Sequence, residues 1–181
     1  MHIHFYKFQG AGNDFIIADN RDNSLTGIST EQIRQMCSRR FGIGSDGFIL
    51  LSSHNYADFQ MDFYNPDGSG ATFCGNGARC IVAFAYRLGI INNETEFMAS
   101  DGLHKAVIKD SLDSRNLIIR LRMSDVNELE QHEAGSFCNT GSPHLVKFIN
   151  RTEDFPVVDE AVKIRYSDNY KAEGTNVNFV A

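Results

Sequence analysis

Hydrophobic residues in this chain fall mainly in short alternating or continuous runs, and only three stretches repeat at helical spacing. Residues 3–8 and 15–19 predict two strands around the turn Gly10-Ala11-Gly12-Asn13-Asp14. Ser29 and Gln32 have the spacing of a capping box, and Ile33, Met36 and Cys37 then predict one face of a helix ending near Arg40. Residues 48–52 predict a strand. Phe59, Met61 and Phe63 alternate with polar neighbours, as in a half-buried strand, and Asn65-Pro66-Asp67-Gly68-Ser69-Gly70 follows as a turn. Ile81, Val82, Phe84, Ala85 and Leu88 mark the most apolar helix, with Gly89 in the position of a C-terminal cap.

The later part predicts strands at 95–99, 105–109 and 117–122, a polar connector at 124–133, and strands around Phe137 and at 145–149. A helix at 157–166 and a strand at 177–180 complete the list. Many short strands with few helices predict an α+β fold rather than a repeated βαβ unit. The last strand runs into the end of the sequence, which leads us to expect the first part of a longer protein.

Composition narrows the function. The chain has 181 residues and a net charge of −6, with Lys and Arg scattered, so a dedicated nucleic-acid binder is not expected. No apolar run approaches the ~18 residues of a membrane span, and the N-terminus lacks a signal-peptide pattern. Four cysteines in such a chain suggest reduced thiols in the cytoplasm. Gly42-Ile43-Gly44-Ser45-Asp46-Gly47 matches a dinucleotide fingerprint, but a helix precedes it and a strand follows. That order is reversed, so it reads as a glycine-rich turn. Five histidines, His2, His4, His54, His104 and His132, lack partner spacing and are expected at the surface.

Candidate chemistry centres on Phe73-Cys74-Gly75-Asn76-Gly77-Ala78-Arg79-Cys80. The two cysteines stand too far apart for a zinc knuckle, and no second pair exists. Cys80 falls inside the apolar helix, where a buried inert thiol is expected. Cys74 falls just before that helix. Unpaired N–H groups at a helix start favour negative charge, so they suit both a thiolate and a ligand carboxylate. Cys74 is therefore a candidate acid/base or nucleophile, with a structural role as the alternative. The turns carrying Asn13 and Asn65 offer groups that both donate and accept hydrogen bonds, or are simply turn formers.

These motifs, taken together, resemble diaminopimelate epimerases. The resemblance rests on Lys7-Phe8-Gln9-Gly10-Ala11-Gly12-Asn13-Asp14-Phe15, the Gly42–Gly47 turn, Tyr64-Asn65-Pro66-Asp67-Gly68-Ser69 and Cys74-Gly75-Asn76-Gly77-Ala78-Arg79-Cys80. It continues through Gly141-Ser142-Pro143-His144 and Asn176-Val177-Asn178-Phe179. It implies two similar α+β halves, each with strands wrapped around a central helix. On this basis residues 1–116 are the first epimerase-like domain and 117–181 begin the second.

The resemblance implies interconversion of LL- and meso-diaminopimelate, on the path to lysine and cell wall, without metal, pyridoxal phosphate or other cofactor. One cysteine thiolate removes the α-proton and a second cysteine delivers a proton to the opposite face. Carried over, Cys74 is one of the two. Gly75 and Asn76 bind the α-carboxylate, Asn13, Asn65 and Asn176 bind other polar groups, and His144 organises the site. A small-molecule substrate and a homodimer are implied, with neither nucleic acid nor membrane as partner. This sequence has Gly47 where some members have Gln, Ser142 where Asn is common, and Pro66 where Ala is frequent. The Glu-Arg-Gly segment and the Cys-Gly-[Ser/Thr]-Gly motif carrying the second cysteine do not occur within it, so the chain alone is expected to be inactive. The alternatives are another two-cysteine racemase or isomerase, a non-catalytic amino-acid-binding fragment and, least supported, a cysteine hydrolase.

Overall fold

The structure, a computed structural model, describes residues 2–111, 113 and 116–181. It divides into two units, Met1–Arg122 and Met123–Ala181. In the first, strands β1 (Tyr6–Gly10), β2 (Asn13–Asp19), β3 (Gly47–Ser52), β4 (Phe59–Tyr64), β5 (Glu94–Ala99), β6 (Gly102–Ser111) and β7 (Leu117–Leu121) form one sheet in chain order. Helix α1 (Thr30–Cys37) connects the parallel pair β2 and β3. Helix α2 (Gly75–Arg87) connects the parallel pair β4 and β5. The other neighbours pair antiparallel.

Strands β2 and β3 read as continuous apolar runs because both their faces are covered. Phe15, Ile17, Ile49 and Leu51 point to one side, where they share a core with Ala78, Ile81 and Ala85 of α2. Ile16, Ala18, Phe48 and Leu50 point to the other, where they meet Ile33 and Cys37 of α1. The sheet curls about α2, which packs against β1, β2, β3, β4 and β7. Gly77, Ala78, Cys80, Ile81, Val82, Phe84 and Ala85 are all buried. Burial of a side chain such as Ile81 or Phe84 stabilises by about 1.5–3 kcal/mol, against ~1 kcal/mol for an N-cap. Packing therefore holds this helix in place, and its N-terminus goes where the packing puts it.

The local signals act as expected at α1 and α2. Ser29 Oγ accepts the Gln32 N–H while the Gln32 side chain accepts the Ser29 N–H, forming a reciprocal capping box. Helix α1 ends at Cys37 rather than near Arg40, because Ser38 turns extended and the Ile43 and Gly44 N–H groups take the Met36 carbonyl. Gly89 ends α2 with φ +70°. The Gly42–Gly47 segment is the turn between α1 and β3.

The hairpin between β1 and β2 turns on Ala11 and Gly12, both with positive φ (54° and 82°). The pairing closes at Gly10 opposite Asn13, so β1 lies nearer the turn than residues 3–8, and Asn13 and Asp14 belong to β2. Three histidines expected at the surface are not fully there: His104 is buried, and His54 and His132 are half-buried. His104 is 5% exposed on β6, where its Nε2 pairs with Asp101 Oδ1 (2.8 Å) and its ring stacks on Phe73 (3.9 Å). A flat ring with its polar atom satisfied packs like an aromatic, which the apolar pattern does not reveal.

The second unit has strands β8 (Glu130–His132), β9 (Gly135–Asn139), β10 (Pro143–Phe148) and β11 (Asn176–Val180), with helix α3 (Val157–Arg165). The sheet order is β11-β10-β9-β8. Strand β8 lies in the segment read as a connector; it is short, polar and an edge, so its sequence carries little signal. His132 is half-buried between Phe137 and Tyr170 and bonds Tyr170 and Glu130. The units divide after Arg122 rather than after residue 116, because Leu117–Leu121 pairs with β6.

A charged cluster ties the hairpin to the α1–β3 turn. Arg39 Nη2 bridges Asp14 Oδ1 (2.7 Å) and Asp46 Oδ1 (2.6 Å), and Lys7 Nζ pairs with Asp14 Oδ2 (2.7 Å). Lys7 also donates to the Gly44 carbonyl. The Arg39 guanidinium, seconded by Lys7 and against the opposing effect of burial, holds the Asp14 carboxyl well below the usual carboxylate range. In the unfolded chain Asp titrates near ~3.9, so this contribution is present above that pH and is lost as pH falls towards the folded value.

Two predictions follow from this packing. Arg39→Leu melts at a lower temperature than the wild type at pH 7, and the gap narrows below about pH 4, as thermal melts over a pH series show. Gly68 has φ +84°, and a Cβ there would lie 2.3 Å from the Thr30 carbonyl oxygen. Gly68→Ala therefore lowers stability by about 1–3 kcal/mol, read from the denaturant midpoint.

Candidate active site

Cys74 is the N-cap of α2, with extended backbone (φ −121°, ψ 113°). Phe73, buried beneath it, fixes the approach of the chain to the helix. The Cys74 carbonyl accepts the Ala78 N–H (2.8 Å), and the Gly77 N–H points at its sulfur (3.5 Å). The Gly75 and Asn76 N–H groups lie in the first turn, where helix geometry provides no intrahelical acceptor. The half-buried thiol thus stands beside backbone donors at the positive end of a helix dipole.

The hairpin reaches the same place. Gly10 lets β1 approach α2: a Cβ there would sit 3.3 Å from the Asn76 carbonyl oxygen and 3.4 Å from Cys80 Sγ. Three residues on, Asn13 turns its side chain to the helix start. Asn13 Oδ1 lies 3.9 Å from Cys74 Sγ and accepts from Asn76 Nδ2 (3.3 Å). Asn13 Nδ2 donates to Asp46 Oδ2 (2.8 Å), which also accepts the Asp14 N–H (3.1 Å). Arg79, one turn into α2, donates to Asn76 Oδ1. The structure therefore brings Cys74, Gly75, Asn76 and Asn13 together.

Asn65 lies in the turn after β4. Its Nδ2 donates to Ser69 Oγ (3.2 Å) and its N–H to the Ser69 carbonyl (2.9 Å), so it is held within that turn. In the second unit His144 on β10 is directly opposite Asn176 on β11, although 32 residues of sequence separate them. Asn176 Nδ2 donates to the Pro143 carbonyl (3.1 Å). His144 Nδ1 lies 3.2 Å from Nδ2 of Asn178, which also donates to the Leu145 carbonyl (3.2 Å).

Cys80, expected to be inert, is buried in α2, and burial pushes its thiol up to about 12. Burial also raises Cys37. Gly47, the position where some family members have Gln, has no room for a side chain: a Cβ would meet Phe63 Cε2 at 2.5 Å and the Tyr64 carbonyl oxygen at 2.9 Å. Ser142 lies in the turn between β9 and β10, where its carbonyl accepts the Thr140 N–H (3.1 Å). Among the described residues, no cluster of three or more His, Cys, Asp or Glu is arranged to hold a metal ion. No helix among them is long and apolar enough to cross a membrane.

Sequence reasoning singled out Asn13 but not the residues that orient it: Asp46, Arg39, Lys7 and Asp14. Asp46 sits in the glycine-rich turn dismissed as a dinucleotide site. The available signal was the spacing itself, because a β2–α1–β3 crossover with a parallel pair returns residue 46 beside residue 14.

A model of the diaminopimelate epimerase family matches residues 5–126. A diaminopimelate epimerase from Flavobacterium psychrophilum is 51% identical over 175 residues, covering 97% of this chain and 66% of the relative. Another, from Chlorobaculum tepidum, is 41% identical and covers 94% of this chain and 67% of the relative. The chain thus spans about two thirds of the length of these curated relatives. Among solved structures, a phenazine biosynthesis protein of the PhzF family from Bacillus anthracis superposes with a TM-score of 0.59 at 14% identity, covering 82% of this chain and 55% of the other. That likeness concerns the fold alone. A family model matched over residues 5–126 and relatives matched over nearly its whole length show that this chain belongs to the diaminopimelate epimerase family.

Proposed function

We propose that the protein interconverts LL- and meso-diaminopimelate by moving a proton at the α-carbon, with Cys74 as one of two acid/base cysteines. The observation that carries this reading is the thiol of Cys74 set beside the first N–H groups of α2. The α-proton of an amino acid is very weakly acidic, and the charge left by its removal spreads into the carboxylate. Fixed donors aimed at that carboxylate stabilise the transition state most. The Gly75 and Asn76 N–H groups are such donors, and the helix dipole adds to them.

Cys74 as thiolate takes the α-proton, or as thiol returns it, depending on which isomer is bound. Asn13 contributes the acceptor oxygen beside the sulfur, and Asn65 and Asn176 contact other polar groups of the substrate. His144, whose Nδ1 faces the Asn178 side-chain NH2 group, helps organise the site. The proton on the opposite face comes from a second cysteine outside residues 1–181, so a piece ending at residue 181 does not turn substrate over. The reaction uses no cofactor and belongs to lysine and peptidoglycan synthesis in the cytoplasm. The working form is a homodimer.

Cys74→Ala in the full-length protein lowers the rate of LL-to-meso conversion by at least about 100-fold, the lower range for loss of a general acid/base. The assay follows solvent deuterium entering the α-position by NMR. Unchanged conversion by Cys74→Ala contradicts the assignment. Turnover of another amino acid in place of diaminopimelate moves the protein to a different racemase or isomerase of this fold.

A further inference from the structure

An asparagine amide is nearly symmetric in shape, so its neighbours decide which end is oxygen and which is nitrogen. Two such amides, Asn13 and Asn76, lie in series between two guanidinium groups. Arg39 donates to Asp46 Oδ1 (2.6 Å), and Asp46 Oδ2, an acceptor only, takes the Asn13 NH2 group (2.8 Å). At the other end Arg79, a donor only, bonds Asn76 Oδ1. The Asn76 NH2 group is left to face Asn13 Oδ1 (3.3 Å). One orientation of each amide satisfies every link. Reversing either sets N–H against N–H or oxygen against oxygen.

We propose that Asp46 is a positioning residue for Cys74: by holding the Asn13 NH2 group it turns the Asn13 carbonyl oxygen onto the cysteine sulfur. This inference rests on the reading of Cys74 as the reacting thiol. The sulfur then has one donor, the Gly77 N–H at 3.5 Å, and one acceptor, Asn13 Oδ1 at 3.9 Å. That pair suits a thiol, which both accepts and donates. The same oxygen is available to a substrate N–H once the proton has left.

Asp46→Asn tests the assignment with almost no change of volume. Arg39, a charged donor, claims the new amide's oxygen over the Asp14 N–H, so its NH2 group faces Asn13 at the 2.8 Å link, and reversing the Asn13 amide satisfies that link at the expense of the longer 3.3 Å one to Asn76. An N–H then meets the sulfur and favours the thiolate. In the full-length protein Cys74 of Asp46→Asn is alkylated by iodoacetamide several-fold faster than wild type at pH 7, with the rate–pH profile moved to lower pH. Alkylation forms a sulfur–carbon bond and releases iodide, with the thiol proton passing to buffer. Trypsin cuts after Arg79, so mass spectrometry reads Cys74 and Cys80 in separate peptides. Adding Asn13→Asp to Asp46→Asn returns an oxygen to the sulfur and brings the rate back to the wild-type level or below.

An Asp46→Asn profile that matches wild type overturns the proposal, and so does a double variant that stays fast. If Asp46→Asn fails to fold, the wild-type Asn13 side-chain NH2 resonances decide. Slow solvent exchange supports the bond to Asp46, and exchange at the rate of a free amide overturns it. Failure of the functional reading is separate. It appears as retained turnover by Cys74→Ala, whatever the alkylation rates of the Asp46 variants.

Discussion

The burial of α2 within the curled sheet is the constraint from which the site follows. Its apolar residues Ile81, Val82, Phe84 and Ala85 are fully covered by strands on several sides. A helix held this way has no freedom to slide or turn, so the position of its first turn is set by the core. Cys74, Gly75 and Asn76 inherit that precision without strong bonds of their own. The sheet meets the same helix at Gly10, whose missing side chain lets β1 come close to Asn76 and brings the hairpin's Asn13 within reach.

Electrostatics then sets polarity where packing sets position. The ion pairs of Arg39 with Asp14 and Asp46 stand on the partly exposed side of the site, where individual pairs contribute little to stability. Their greater consequence is directional. Donor-only guanidinium groups at both ends of the chain from Arg39 to Arg79 leave no choice for the two amides between them. The second unit repeats the principle with backbone carbonyls: the NH2 group of Asn178 is committed to Leu145 and so meets His144 Nδ1 as a donor.

Much of this architecture was legible in the sequence. The capping box at Ser29 and Gln32, the alternation in β4 and the apolar face of α2 are local signals, and each produced its element. The order helix–turn–strand around the Gly42–Gly47 segment was enough to reject a dinucleotide site. The helix start at Cys74 was also readable, since glycines and a polar cap precede an apolar run. What stayed hidden depends on tertiary contact. His104 looks polar in sequence but is a satisfied aromatic partner of Phe73. The three-residue β8 has no pattern of its own and exists through pairing with β9. Asp46 acquires its meaning only when the crossover lays β3 beside β2. The carry-over of Asn176 and His144 came from resemblance alone, whereas Asn65 also stood out as a turn asparagine.

The central claim is that the first turn of α2 receives the substrate's carboxylate next to the Cys74 thiol. The most direct measurement is an NMR titration of the full-length Cys74→Ala protein with meso-diaminopimelate, following backbone amides. The account predicts that the Gly75 and Asn76 N–H signals move most, together with the Asn13 side-chain amide. Saturable binding that leaves the Gly75 and Asn76 signals in place would contradict it.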